Sequence, residues 1–471
     1  MAEPSHPVKI DILCKMGQRA GVPLPVAPFY RTISKRRQNM KNIAILGAGI
    51  GGMAAAYDLI RAGHKVTIYE ATDTIGGLAS GFKEDHWDWS VEKFYHHWFA
   101  SDKHMLDLIA ELGWSDKVLF PRPYTVVYWD GKFYPFDSIF TNIPLFLLRH
   151  FPLPDVIRYG LSGAYLRFSP RWKPLEKTTA DAWTRRWFGK RVYEIQWKPL
   201  LLSKFGERNA PLVNMAWLWA RLHSRTTRLG TFTGGFQAFA DQFAARLREM
   251  GVTIALASPV TRITQGEEGG LILDTPSGPQ SFDQCLTTTS PALLARIAPD
   301  LPPTYLRGLL ELKSMGAVVM VLALTHQLSE QGYYWFNLPK SAGFPFLALV
   351  EHTNFLKPEY FGGDHILYAG DYLETDHEYF NLSQDELLER FLPTFSRINP
   401  QFSPDWVRKT WLFRTNYAQP IPLVNHSRNI PAIQTPMPGL YFASMSQVYP
   451  WDRGTNFAVE IGRRAARLMQ G

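Results

Sequence analysis

The sequence predicts a mixed fold, α/β and α+β, in which a nucleotide-type βαβ region is interleaved with a second region of mixed β-sheet plus helices. Three observations predict it. An apolar strand, a glycine-rich turn and a helix follow one another from Asn42; an Asp-Gly hairpin well outside that unit opens a different sheet; and α/β texture returns after Gly234. A chain of 471 residues is also longer than one ordinary core fills. The expected division gives 40–120, 226–290 and 426–471 to the nucleotide part, and 121–225 and 291–425 to a substrate domain.

Residues 1–39 mix Pro, Lys and Arg without periodicity, so they are expected to be a disordered extension, or Met40 to be the true start. Ile43-Ala44-Ile45-Leu46 is a continuous apolar run, which a strand covered on both faces requires. Met53 to Ile60 carries helix formers, Gly63 stops the helix, and Lys65 to Glu70 alternates with β-branched residues, closing the βαβ unit. Tyr124 to Trp129 and Lys132 to Tyr134 flank Asp130-Gly131, a pair suited to the positive φ of a two-residue hairpin turn.

Between Phe136 and Phe168 the chain is strongly apolar, broken by Pro144, Pro152 and Pro154, and a Trp-rich helical stretch runs from Ala180 to about Leu222. Both are assigned to the lid or substrate domain. Phe236 to Met250 reads as a helix ended by Gly251, and Val252 to Leu256 as the next strand, with Val260 to Ile263 and Gly270 to Asp274 extending the same sheet. Met315 to Thr325, Phe346 to His352 and Ile366 to Tyr372 belong with the hairpin sheet. Gly439 to Ala443 is a strand and Gly454 to Leu468 the closing helix.

Gly47-Ala48-Gly49-Ile50-Gly51-Gly52 fits the G-x-G-x-x-G pattern of a Rossmann-type site, between a strand and a helix. Gly47 serves the tight turn, Gly49 the close approach of backbone to a diphosphate, and Gly52 the packing of helix on strand. The helix start aims its amides and positive dipole end at the diphosphate. Glu70 closes the second strand, where a carboxylate accepts from both ribose hydroxyls and repels a 2′-phosphate.

The composition excludes several classes. Of the net charge of +8, residues 1–39 hold +5, which leaves about +3 for the rest and no general basic face for nucleic acid. Cys14 and Cys285 make no disulfide framework, so a cytoplasmic location is expected. No run of about 18 apolar residues suggests a membrane span.

The stretch Glu70-Ala71-Thr72-Asp73-Thr74-Ile75-Gly76-Gly77-Leu78-Ala79-Ser80-Gly81-Phe82 resembles the flavin-containing amine oxidoreductase superfamily. The resemblance is to its protoporphyrinogen oxidase-like and phytoene desaturase-like branch, and more distantly to UDP-galactopyranose mutases. It continues through Glu111-Leu112-Gly113, Phe188-Gly189, Trp197 to Leu201, Thr233 to Phe236, Pro259 to Ile263 and Gly454 to Arg463. The resemblance implies an FAD-binding domain and FAD as cofactor. It sets Gly76-Gly77 against the phosphate and ribityl region, the Val260 backbone against adenine, and the Gly454-Thr455-Asn456 helix start against the flavin pyrimidine. Ala71, Leu78, Ser444 and Met445 complete the implied cofactor set. Leu78 stands where amine oxidases often carry Arg, and Ala443-Ser444-Met445 where Ala-Gly-Asp/Glu is common, which places the chain nearer the oxidase-like and desaturase-like branches.

The implied chemistry is hydride transfer to flavin N5 from a hydrophobic substrate, porphyrinogen-like, polyene or amine, with oxygen or a quinone-like molecule as electron acceptor. Lys93, in Glu92 to His97, and Glu351 and His352, at the end of a substrate-sheet strand, are the candidate general bases. His96 and His97 are neighbours on a strand and point to opposite faces, so no metal is expected. Trp183, Trp187, Trp197, Trp217 and Trp219 recur at helical spacing and are assigned to core. The apolar segment 136–168 is expected to wall a lipophilic tunnel or to dock on a membrane surface. Two alternatives stay open: a non-redox flavin isomerase resembling UDP-galactopyranose mutase, with Arg221, Arg225 and Arg228 clasping a diphosphate, and a flavin-binding scaffold without turnover.

Overall fold

The computed structural model describes residues 40–138, 141–224 and 226–471; the expectations for residues 1–39, for Arg225 and for 139–140 within the apolar segment lie outside the described residues. Five parallel strands form the first sheet, in the order Thr253–Ala255, Lys65–Tyr69, Asn42–Leu46, Gln284–Thr287, Leu440–Phe442. Asn42–Leu46 is central, and its continuous apolar run has the reason the sequence suggested: both faces are covered. Ile43 and Ile45 pack under the helices Ile50–Arg61, Gly235–Glu249 and Thr455–Gln470, while Ala44 and Leu46 face the opposite layer.

That opposite layer corrects one expectation. Arg262–Gln265 and Leu271–Thr275 do not extend the parallel sheet; with Gly278–Phe282 they make a separate three-stranded antiparallel sheet. Their connections are too short for a parallel crossover, so hairpins are the only geometry open to them. Ile263, Leu271, Leu273 and Phe282 form its buried face.

The second large sheet has seven strands, in the order Val407–Pro420, Ser314–Leu324, His365–Leu373, Ala348–Glu351, Tyr333–Asn337, Tyr124–Trp129, Lys132–Pro135. All neighbours are antiparallel except Tyr333–Asn337 with Tyr124–Trp129. Asp130 and Gly131 take φ of 45° and 78° at the hairpin tip, the turn the Asp-Gly pair predicts. Ser314–Leu324 splits its side chains by alternation. Val318, Met320 and Leu322 meet the helix Gln384–Ile398, and Val319, Val321 and Ala323 meet Trp87 and Val91. Val407–Pro420 and Tyr333–Asn337 escape the sequence reading; the first mixes Arg408, Lys409 and Arg414 with Trp411, Phe413 and Tyr417 and is mostly half-buried.

Helices Asn142–His150, Leu153–Phe168, Ala180–Trp187, Lys198–Asn209 and Met215–Ser224 pack beside this sheet around Phe188, Trp197, Trp217 and Trp219. Those tryptophans are core, as expected, whereas Trp187 is half-exposed. Leu153, Ile157, Leu161, Tyr165 and Phe168 form an exposed stripe, with Leu161 at 70% and Phe168 at 73% of full exposure. Spacings of three and four residues put them on one helix face. Among the described residues no helix is long and apolar enough to cross a membrane.

Candidate functional site

The carboxyl ends of the five parallel strands carry Gly47, Glu70, Ala257-Ser258, Thr288 and Ser444, the edge of an open α/β sheet where ligands bind. Gly47 has φ of 107°, and a Cβ there would lie 2.6 Å from the Thr288 hydroxyl. Gly52 is still tighter, since a Cβ would meet the Gly47 carbonyl oxygen at 2.1 Å. The helix that begins at Ile50 is preceded by Gly49, with no side chain capping it and no acidic residue in its first turn. Its first amides and dipole end therefore face outward without a protein anion.

Glu70 holds this loop. Its Oε2 accepts from the Ala48 amide at 2.8 Å, and its Oε1 accepts from the Thr72 amide and hydroxyl at 3.0 and 2.9 Å. Ala71 is exposed in the turn. The Ala257 amide donates to Thr72 O and the Ser258 amide to Glu70 O, which brings half-buried Val260 close behind the same turn. The second glycine pair lies on the first: Gly76 bridges Gly49, and the Gly76 amide donates to Ala48 O at 2.9 Å. A Cβ on Gly77 would stand 3.2 Å from Gly49 Cα. Leu78 is half-buried in the short turn that follows.

The closing helix, Thr455–Gln470, crosses the first helix at backbone distance, because a Cβ on Gly462 would come within 2.2 Å of the Gly51 carbonyl oxygen. Gly454 precedes it without a side-chain cap. Thr455 Oγ1 accepts from Trp98 Nε1 at 2.9 Å, and Asn456 Oδ1 accepts from the Met105 amide at 3.1 Å. These two side chains brace the helix, leaving backbone amides as what it offers a ligand. Ser444 is likewise committed: its hydroxyl pairs with Tyr417 and its amide donates to Gln447 Oε1. Met445 lines a cavity with Trp217, Tyr449, Trp451 and Arg453. Two glycine loops in contact, an uncapped helix start and a strand-end carboxylate together fit a dinucleotide.

The three candidate bases separate. Lys93 is half-buried and its amide donates to Ser80 O at 2.9 Å, which ties it to the turn after the second glycine pair. Glu351 is occupied in holding the backbone, since its oxygens accept from the Leu328 and Ser329 amides at 2.6 and 2.9 Å and from Asn354 Nδ2 at 2.8 Å. Burial still pushes its carboxyl up to about 7. His352 is packed among Phe355, Phe361 and Tyr368, with both ring nitrogens unpartnered, and burial pulls it down to about 4. It is a neutral ring in an aromatic core.

Sequence reasoning did not assign a role to three side chains, Glu92, Lys204 and Arg453, although Glu92 opens the cluster that holds Lys93. Glu92 is 2% exposed; its Oε1 accepts from the Phe236 amide at 3.0 Å, its Oε2 has no partner, and burial raises its carboxyl to about 7. Lys204 is 6% exposed and lies 4.1 Å over the Tyr372 ring. Arg453 could have been found, since it directly precedes the Gly454 motif. Lys204 carries no local signal, because its partners come from Tyr372 and Arg453.

Comparison with known proteins gives the same direction. The profile described as flavin containing amine oxidoreductase matches residues 50–470, and the chain belongs to that family. The chloroplastic/chromoplastic 15-cis-phytoene desaturase of Capsicum annuum is 39% identical over 85 residues, which are 18% of this chain and 14% of that protein. The chloroplastic protoporphyrinogen oxidase of Nicotiana tabacum is 25% identical over 289 residues, 53% of this chain and 51% of its own. The matches thus span about half or less of those relatives. Among solved structures, cyclohexylamine oxidase from Brevibacterium oxydans IH-35A has a TM-score of 0.66 at 17% identity, over 92% of this chain and 99% of that one. Reduced UDP-galactopyranose mutase has a TM-score of 0.70 at 15% identity, over 91% and 93%. These two likenesses show the fold.

Proposed function

We propose that this member of the flavin containing amine oxidoreductase family is an FAD-dependent oxidoreductase acting on a largely apolar substrate. The observation that carries the reading is the contact of Gly49 with Gly76-Gly77 over an uncapped helix start, because backbone so bare at that point suits the close approach of a diphosphate. Gly47 to Gly52 would hold the diphosphate, Glu70 the ribose, Val260 the adenine side, and Gly76 to Leu78 the ribityl chain. The backbone at Ser444, Met445 and Gly454 to Asn456 would face the flavin ring. FAD, when bound, supplies a hydride acceptor at N5. The protein's work is then positioning and exclusion of water.

Lys93 is the candidate that the fold ties to the glycine loops, so it takes the role of moving a proton at the substrate. Glu351 and His352, read from sequence as bases, are assigned to scaffold in this reading. A quinone-like molecule or oxygen takes the electrons onward. The visible spectrum of purified protein, followed by anaerobic bleaching against porphyrinogens, polyenes, amines and sugar nucleotides, tests the whole reading. A protein that stays colourless after refolding with excess FAD overturns it. Turnover seen only with pre-reduced flavin moves the assignment to an isomerase.

The exposed stripe on Leu153–Phe168 is proposed as a docking face for an anionic lipid surface. Exposed Arg149, Arg171 and Lys173 flank it in sequence and supply the matching charge. Ile157→Glu with Leu161→Glu is expected to lower sedimentation with phosphatidylserine vesicles at least tenfold while flavin content holds. Unchanged sedimentation rejects the face.

A further inference from the structure

Burying an ammonium group without a carboxylate is unfavourable, so a lysine in that state points to a missing anion. Lys204, in helix Lys198–Asn209, is 6% exposed and has no ion pair or hydrogen bond among the described residues. Its ammonium lies 4.1 Å over the Tyr372 ring, and the Arg453 guanidinium carbon lies 5.0 Å from the centre of the same ring. Arg453 donates to Ala418 O and to the Tyr372 hydroxyl, both neutral acceptors. The nearby acids are taken: Asp452 pairs with Arg221 at 2.5 Å, and Asp371 with Lys340 at 2.6 Å. Four cations, Lys204, Arg221, Arg453 and Lys340, thus share two carboxylates, Asp452 and Asp371, which leaves the cluster with an excess of positive charge. Burial, with Arg221 and Arg453 adding to it, holds the Lys204 amine well below the ordinary lysine range.

Arg453 connects the cluster to a small cavity. Asp452 and Arg453 line the cavity shared with Trp217, Tyr449 and Trp451. Arg453 directly precedes Gly454, at the start of the closing helix. We propose that Lys204 and Arg453, with Arg221 beside them, receive an oxyanion group of the substrate, a phosphate or a carboxylate. That this anion belongs to the substrate rests on the flavin reading; that the cluster binds an oxyanion does not. Of the substrate classes the sequence leaves open, simple amines are disfavoured by like charge and an uncharged polyene leaves the cations unmet. An apolar molecule with an anionic end satisfies both the cluster and its aromatic surroundings.

Calorimetric titration of the flavin-loaded protein with inorganic pyrophosphate, and separately with glutarate, tests this and tells phosphate from carboxylate. At least one is expected to bind, with affinity reduced tenfold or more in Lys204→Met and in Arg453→Gln. Lys204→Met is expected to keep its flavin and to unfold at an equal or higher temperature, since a buried amine whose charged form is disfavoured by burial and by Arg221 and Arg453 has been removed. Failure of both anions to bind wild-type protein overturns the proposal, as does undiminished binding by Lys204→Met. Should that variant not fold, Arg453→Gln decides by the same criterion. If the protein takes up no flavin, pyrophosphate binding that is still lost in Lys204→Met sustains the receptor while the flavin reading falls. Flavin uptake without anion binding does the opposite, sustaining the flavin reading while the receptor falls.

Discussion

The glycine loops at the parallel sheet and the charged interior of the seven-stranded side solve the same problem by different means. At Gly47 to Gly52 and Gly76-Gly77, polar groups are presented by backbone, and the side chains have been removed so that three segments can touch. Around Glu92, Glu351 and Lys204 the polar groups are buried side chains, and each is answered to a different degree. Glu351 has three donors, Glu92 has one, and Lys204 has no ion pair or hydrogen bond among the described residues. A site made of backbone tolerates no added atom. A site made of buried charge tolerates no lost partner, and its unanswered members mark where a ligand or a proton belongs.

The largest effect should come from adding atoms to the first region. Gly52→Val would drive a side chain into the Gly47 carbonyl, where the existing gap to a Cβ is 2.1 Å. No rotamer relieves a backbone clash, so a loss of roughly 4 kcal/mol or more is expected, with no flavin retained. Denaturant unfolding and the flavin-to-protein absorbance ratio measure both. A well-folded, fully loaded Gly52→Val protein would break the comparison at its first term.

Removing a partner from the second region should cost less. Glu351→Ala strips the acceptor from the Leu328 and Ser329 amides, both held at hydrogen-bond distance in the interior. Two orphaned amides are worth roughly 2 to 4 kcal/mol. Flavin content and turnover of the folded fraction are expected to stay at wild-type levels. A selective fall in turnover with stability intact would return Glu351 to the chemistry.

The same contrast explains what could be read in advance. Gly47, Gly49 and Gly52 announce themselves because backbone geometry is local and leaves a fixed spacing in sequence. Ser314–Leu324 and the Asp130-Gly131 turn were legible for the same reason, since alternation and positive φ are local properties. Arg262–Gln265 was legible as a strand but not in its sheet, because pairing is settled by connection length and by what covers the far face. Lys204 and Tyr372 were silent, and Arg453 was marked only by its place before Gly454. Each is ordinary in its own segment, and only the packing of a helix, a strand and a loop makes them a group. The surroundings of His352 were equally out of view in the sequence, since its aromatic cage is assembled from Phe361 and Tyr368 further along the chain.

The smallest expected effect is also the sharpest, because it is visible at one pH and absent at another. Glu92 is the half-answered carboxylate: one oxygen accepts from the Phe236 amide and the other has no partner. Burial raises it to about 7 from a usual value near 4.5. The folded protein therefore holds this proton more tightly than the unfolded chain does. Its stabilising contribution is whole below pH 4.5 and is lost as the pH rises through 7. Glu92→Gln keeps a neutral side chain at every pH and so escapes that loss. The variant should match wild type or fall slightly below it at about pH 5, and exceed it by about 1 to 3 kcal/mol at about pH 8, as urea unfolding at the two pH values would show. Glu351 contributes the same trend to both proteins and cancels in the difference. A stability difference that does not move between those two pH values would mean that Glu92 is ionised throughout. Its free oxygen would then have to face a cation or donor supplied by a bound ligand, and the region would resemble the glycine loops more closely than its side chains suggest.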